Sequence, residues 1–164
     1  MLKIAYKLHQ LSFSGLMEVY LEGNLEKAGS ERGEALLLAE QAFYDYLSQV
    51  FFPTPGALYA IWEEKGRYTA ALRLEPYRDG LLLEGLETAP DLRRRGYARN
   101  LLEAVLRRFS DKPIYSHVAK SNRPSLLLHQ SLGFRKIADQ AAYIDGSVNN
   151  RCVTCLWKKD TAIG

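Results

Sequence analysis

Apolar positions change period several times along the chain, and each change marks an element. The stretch "LKIAYKL" (2–8) alternates weakly and predicts an edge strand. Within "FSGLMEVYLEGNLEKA" (13–28), Leu16, Val19 and Tyr20 recur at helical spacing, and Gly23 weakens the end. A longer helix is predicted over "SERGEALLLAEQAFYDYLSQVFF" (30–52). There Ser30 can cap, Glu31 and Glu34 suit the first turn, and Leu36, Ala39, Phe43, Leu47 and Val50 share a face. "FPTPG" (52–56) stops it.

The pattern then shortens. "ALYAIWEE" and "YTAALRLE" flank Lys65-Gly66 and read as a hairpin, and "LLLEGLET" (81–88) continues the meander after "PYRDG". A helical stripe follows, carried by Leu101, Leu102, Val105, Leu106 and Phe109, with Glu103 and Arg107 on its wet side. "PIYSHVA" (113–119) is a strand, and "NRPSLLLHQSL" (122–132) is a short helix with Pro124 in its first turn and Gly133 at its end. "FRKIADQAAYID" and "RCVTCLWKK" close the chain as a strand pair around "GSVNN". The order is a strand, two helices, three strands, a helix, a strand, a helix and two strands. That order describes a mixed α/β sheet covered by helices, in which the strands flanking the 95–109 helix run parallel.

Composition narrows the class. At 164 residues, with 47% hydrophobic and 25% charged residues, the chain reads as one domain able to bury a single core. Its net charge of +3 suits an anionic ligand and falls short of a nucleic-acid-binding tail. The two cysteines, Cys152 and Cys155, are too few for a disulfide scaffold or a zinc site. Three apart on a strand, they point to opposite faces and read as reduced side chains of a cytoplasmic protein. No targeting signal or membrane-length apolar stretch is read in the chain, and no metal is expected.

The start of the central helix is unusual. "APDLRRRGYARNLL" (89–102) enters it through three arginines, then Gly96 and Ala98. The first N–H groups of a helix have no partner within it and carry the positive end of its dipole. With almost no side chain at Gly96 and Ala98, a bulky anion can approach those amides. Arg93, Arg94, Arg95 and Arg99 add fork-shaped donors around the rim. A solvated basic turn is the plain alternative. A nucleic-acid face would want aromatic residues interleaved across a sheet.

Arg93-Arg94-Arg95-Gly96-Tyr97-Ala98 resembles the [Q/R]-x-x-G-x-[G/A] pyrophosphate loop of the GNAT acyltransferases (Gcn5-related N-acetyltransferases). Ala89-Pro90-Asp91-Leu92 before it and Asn100-Leu101-Leu102 after it resemble the usual flanks. A second element, from Val118 through Asn122, Ser125 and Leu128 to Leu132-Gly133-Phe134, is similar to the family's "V…N..A..L…LGF" segment. The resemblance covers roughly residues 57 to 158. Residues 1–56 match only in their pattern of strand, helix, helix, which supplies the acceptor side.

The resemblance implies a GNAT fold: a mixed, mostly antiparallel sheet of six to seven strands with a splayed parallel central pair, flanked by four helices. It implies acetyl-CoA as co-substrate and transfer of its acetyl group to a primary amine in a ternary complex. The backbone of Leu86, Glu87 and Thr88 would pair with the pantetheine arm. The pyrophosphate would sit on amides from Arg94 to Arg99, and Asn122, with Ser125 beside it, would reach the arm from the far side.

An alkylamine is protonated near neutral pH, so some group must take its proton. Glu84 is the candidate, since alternation places it on the face of Leu86 and Thr88. A bulge would swap the faces and hand the role to Glu87. The family commonly has a Tyr four residues before the Gly of "LGF", and here that position is His129. His129 is the candidate general acid, with Tyr143 or water as substitutes, and His117 reads as structural. The acceptor, a small molecule or a peptide, stays open, and a homodimer is the family-level expectation. An acyl-CoA-binding domain without catalysis is the alternative reading.

Overall fold

A computed structural model describes residues 1–29 and 33–159. The predicted cap Ser30 and first-turn Glu31 lie outside the described residues. The chain forms two compact units interleaved along the sequence. One comprises Met1–Glu75 with Gly85–Leu102, and the other Pro76–Glu84 with the described residues from Glu103 on.

The first unit begins with β1 (Leu2–Ala5), which pairs antiparallel with β2 (Leu58–Glu64) from Leu2↔Trp62 to Ala5↔Tyr59. β2 pairs with β3 (Arg67–Tyr77) across a two-residue turn. Both turn residues have positive φ, Lys65 at 50° and Gly66 at 78°, as the right-handed twist of a tight hairpin requires.

The predicted first helix is two helices, α1 (Phe13–Val19) and α2 (Leu21–Lys27), which meet at Tyr20. Ser12 caps α1 by accepting from the Gly15 amide. Leu16, Val19 and Tyr20 are buried as their spacing predicts. They join Ala5, Leu47, Phe51, Tyr59 and Ile61 in one core cluster.

α3 (Glu34–Tyr46) continues into a π-helical turn, Leu47–Phe51, closed by the Phe52 amide donating to the Leu47 carbonyl at 3.0 Å. This turn corrects one expectation. Val50 was placed on the buried face but is 57% exposed, while Phe51 is fully buried. The wider turn delays the helical phase by one residue, so the next core position falls one step later.

In the second unit, β4 (Gly80–Thr88) contributes its first residues to a parallel ladder with β5 (Ile114–Ala119). The ladder pairs Leu81–Leu83 with Ile114–Ser116 and does not extend to Glu84 and His117. β5 continues to Ala119 against antiparallel β9 (Cys152–Trp157), which pairs in turn with β6 (Arg135–Ala138). A ribbon of β7 (Ala141–Ala142) and β8 (Val148–Asn149) stands apart from this sheet. The seven sheet strands run in the order β1-β2-β3-β4-β5-β9-β6.

α4 (Tyr97–Arg108) connects the parallel strands and buries Leu101, Leu102, Val105 and Leu106 of the predicted stripe, whose last member, Phe109, lies just past the helix and is half-buried. α5 (Arg123–Ser131) follows β5. The helix count is therefore five rather than four, because the chain breaks at Tyr20. Both cysteines are free thiols, Cys155 buried and Cys152 half-buried. Among the described residues, no helix is long and apolar enough to cross a membrane, and no cluster of His, Cys, Asp or Glu is placed to hold a metal.

Candidate active site

The loop into α4 is the most specialised backbone of the first unit. Arg94 and Gly96 both have positive φ, 64° and 82°. These left-handed residues turn the chain so that the amides from Gly96 onward start the helix, with the Asn100 amide donating to the Gly96 carbonyl at 2.9 Å. A Cβ built at Gly96 would meet no protein atom within 4 Å, so the glycine faces open space in front of those amides. A side chain there would fill the approach that a diphosphate needs.

The four arginines do not act alike. Arg94 and Arg95 are exposed beside the helix start. Arg93 instead forms an ion pair with Glu22 on α2, so its charge is committed to the protein. Tyr97 and Ala98, in the first turn, are half-buried, and Arg99 is exposed. The loop itself is held from below by Arg67, which donates to both carboxylate oxygens of Asp91.

β4 supplies the next feature. Gly85 interrupts it with a φ of 61°, a left-handed conformation outside the extended range. A Cβ there would lie 2.8 Å from the Arg73 guanidinium, so packing as well as backbone selects glycine. The Tyr20 hydroxyl donates to the Gly85 carbonyl at 2.7 Å, which fixes the bend.

The expectation that Glu84 shares a face with Leu86 and Thr88 assumed an unbroken strand. Beyond Gly85 it is Glu87 that lines a cavity of about 850 Å³ in the first unit. Tyr20, Gly23 of α2 and Ala35, Ala39 and Ala42 of α3 form much of its wall. Glu87 is exposed as a whole, yet burial of its carboxyl and the nearby Glu26 push it above the usual carboxylate range.

In the second unit, Asn122 caps α5: its Oδ1 accepts from the Ser125 amide at 3.2 Å. His129 lies one turn after Ser125 and is 2% exposed. Its Nδ1 is 2.7 Å from the Ser125 carbonyl, which can only accept, so Nδ1 carries the proton. Nε2 then accepts from the Ser116 hydroxyl at 2.8 Å. The ring also meets the Phe134 ring edge-on at 4.8 Å. Burial pushes its pKa down, opposed in part by the Ser125 bond. Both nitrogens are hydrogen-bonded, Nδ1 within α5 and Nε2 to Ser116 of β5.

His117 was read as structural, and its surroundings are unlike those of His129. It sits one step beyond the β4–β5 ladder. Among the described residues neither buried ring nitrogen has a hydrogen-bond partner. The sequence separated these two histidines only by the position of His129 in the resembling segment, and not by what surrounds either ring.

The sheet holds one parallel pair, β4 and β5, joined by α4, and exposed arginines precede the first turn of that helix. Residues 21–134 match the model of the acetyltransferase (GNAT) family, and the chain belongs to that family. Solved structures agree on the fold. The ribosomal-protein-S18-alanine N-acetyltransferase of Escherichia coli is 17% identical with a TM-score of 0.62, over 98% of this chain and 96% of that one. PH1933 of Pyrococcus horikoshii is 17% identical with a TM-score of 0.67, over 98% and 99%. The PaiA N-acetyltransferase of Thermoplasma acidophilum, in complex with coenzyme A, is 12% identical with a TM-score of 0.63, over 97% and 99%. A search of curated protein sequences finds no match.

Proposed function

We propose that the protein moves an acetyl group from acetyl-CoA to a primary amine carried on a largely apolar body. The observation that carries this reading is the left-handed turn at Arg94 and Gly96 that starts α4 with open space beside Gly96. Amides from Arg94 to Arg99 hold the diphosphate, with Arg94, Arg95 and Arg99 supplying charge from the rim. Arg93 steadies the loop through Glu22. The backbone of Leu86–Thr88 pairs with the pantetheine arm. Ser125 takes the supporting role its bonds to Asn122 and His129 describe.

Bound acetyl-CoA supplies an activated acyl carbon and a thiolate leaving group. The protein's residues do the rest. The small-residue walls of α2 and α3 receive the acceptor's body, and the Glu87 carboxylate draws its ammonium and takes one proton on a carboxylate oxygen. A backbone N–H of β4 donates to the acyl oxygen as charge develops there. Glu84 stands as the weaker candidate base, since the bend at Gly85 favours Glu87. His129 positions α5 rather than moving a proton.

The test has two arms. Calorimetry with coenzyme A should give saturable heat that Gly96→Val abolishes. Free-thiol release from acetyl-CoA should then accelerate with apolar primary amines and be slowed by Ala39→Trp, which fills the cavity. Binding of coenzyme A without thiol release on any amine would favour a non-catalytic acyl-CoA sensor. Absence of both would end the assignment.

A further inference from the structure

Two polar groups in the wall of the first unit's cavity are left with bonding capacity to spare. Asn24 of α2 lines that cavity and is 3% exposed. Its amide nitrogen donates to the Met17 sulfur at 3.6 Å, and a thioether is a weak acceptor. Its Oδ1 has no hydrogen-bond partner among the described residues, yet it is not sealed in as the nitrogens of His117 are, so it opens on the cavity. Glu87 lines the same cavity, and its carboxylate has no hydrogen bond or ion pair with any described residue. Burying an amide with one weak bond is costly, and an apolar residue at position 24 would avoid that cost. A ligand that completes the amide's bonds offsets it.

The chemistry of that ligand follows from the wall. An amide oxygen only accepts, so the group that meets Oδ1 donates. The acceptor's ammonium belongs at Glu87. A second ammonium would face a neutral oxygen in a wall that also carries Lys27 and Arg73, so the second donor is uncharged. A free carboxylate beside the amine would meet two accepting groups, Oδ1 and Glu87. The Asn24 nitrogen keeps a second hydrogen, so the side chain presents an acceptor and a donor together. That pair complements the N–H and C=O of one extended peptide residue, whereas a hydroxyl would use only part of it. The mouth of the cavity suits a continuing chain, because Leu38 lines it and is still 64% exposed.

We propose that Asn24 is a specificity residue that reads a peptide group of the acceptor, and that the acceptor is the α-amine of a peptide. This rests on the acetyl-transfer reading above and names its substrate class. Glu87 draws the terminal ammonium. The first side chain lies against Ala35, Ala39 and Ala42, and Asn24 Oδ1 accepts from the N–H of the second residue. A chain beyond that point leaves across Leu38.

Three acceptors that share one apolar body test this with the whole chain. Leucyl-glycinamide, isoamylamine and free leucine differ in the group beside the amine, and free-thiol release from acetyl-CoA reads each. The dipeptide amide should exceed both others in kcat/KM by about 10-fold or more, with the difference falling mainly on KM. Asn24→Leu removes both polar atoms at similar volume and should bring the dipeptide amide to within about twofold of isoamylamine. Asn24→Asp keeps an accepting oxygen and should keep a preference of at least about threefold. Saturable heat with coenzyme A shows that each variant is folded.

Two results overturn the assignment and leave acetyl transfer standing. One is a wild-type protein that takes isoamylamine or free leucine as well as the dipeptide amide. The other is Asn24→Leu with its preference for the dipeptide amide intact. Thiol release with no amine at all, or no binding of coenzyme A, would overturn it together with the reading on which it stands.

Discussion

Arg67 of β3 grips Asp91 through two parallel bonds, Nη1 to Oδ2 at 2.9 Å and Nη2 to Oδ1 at 2.7 Å, while its Nε reaches Glu18 of α1 at 3.1 Å. Asp91 stands two residues before Arg93, so this fork sets the height at which the arginine loop leaves the sheet. A planar guanidinium makes such a two-point contact, and a lysine ammonium cannot.

The pair is exposed, and solvent screens it, so its effect should appear in loop placement more than in overall stability. Asp91→Ala should weaken coenzyme A binding by about 3- to 10-fold with a melting temperature close to that of the wild type. Arg67→Lys should do nearly the same. The bond to Arg67 holds the Asp91 carboxyl below the usual carboxylate range. Its folded pKa is depressed, so the anchor is intact above that range and is lost as pH falls through the lowered value. Calorimetry from neutral pH downward checks the sign.

Gly96 tests the cradle directly. At φ 82° an alanine is strained by about 1 kcal/mol, and its methyl group enters the space in front of the amides. Gly96→Ala should weaken coenzyme A by 10-fold or more while lowering the melting temperature by only a few degrees. Gly29, with φ 73° and open surroundings, supplies the control. Gly29→Ala should cost similar strain and leave binding unchanged.

For His129 the expectation is the reverse of the one its sequence position suggests. His129→Ala removes the partner of the buried Ser116 hydroxyl and opens a cavity, which should cost about 2–3 kcal/mol. Below the melting transition, acetyl transfer should stay within a fewfold of the wild type. Because burial lowers the folded pKa, the unfolded chain takes up the proton first as pH falls. Stability should therefore be complete above about pH 6.5 and decline below it, and the variant should show less of that decline. Urea melts at several pH values measure both.

Glu87 and Glu84 separate by kinetics. Glu87→Gln should lower kcat/KM by about 100-fold, and Glu84→Gln by much less. The Glu87 carboxyl titrates above the usual carboxylate range, and its ionised form is the working one. The rate should therefore rise with pH through that elevated value, and Glu87→Gln should remove this rise. If Glu84→Gln removes it instead, the bend at Gly85 has been misjudged.

Much of this was legible in the residues. The stripe Leu101, Leu102, Val105 and Leu106, the Lys65-Gly66 hairpin and the parallel pair around α4 follow from period, turn chemistry and connection length, all local quantities. The arginine loop was legible for the same reason, since a helix start with Gly and Ala in place of a cap is a sequence-level anomaly. The break at Tyr20 and the phase slip before Phe51 were not. Both depend on which face a neighbouring element offers, and apolar spacing is nearly the same on either side of a break or a slip.

The chain's pattern of apolar and polar residues, with two short motifs, therefore determined the family and the order of elements. Contiguous backbone forms these, and the information lies within a few residues. Only the tertiary structure decided what surrounds each acidic and each histidine side chain. Glu84 and Glu87 lie on either side of Gly85, whose left-handed backbone meets Arg73 and Tyr20 from other elements. His129 and His117 differ by what stands opposite their nitrogens: Ser116 and Ser125 for one, and only aromatic edges for the other. Reactivity depends on partners distant in sequence, and no local pattern encodes a missing hydrogen bond.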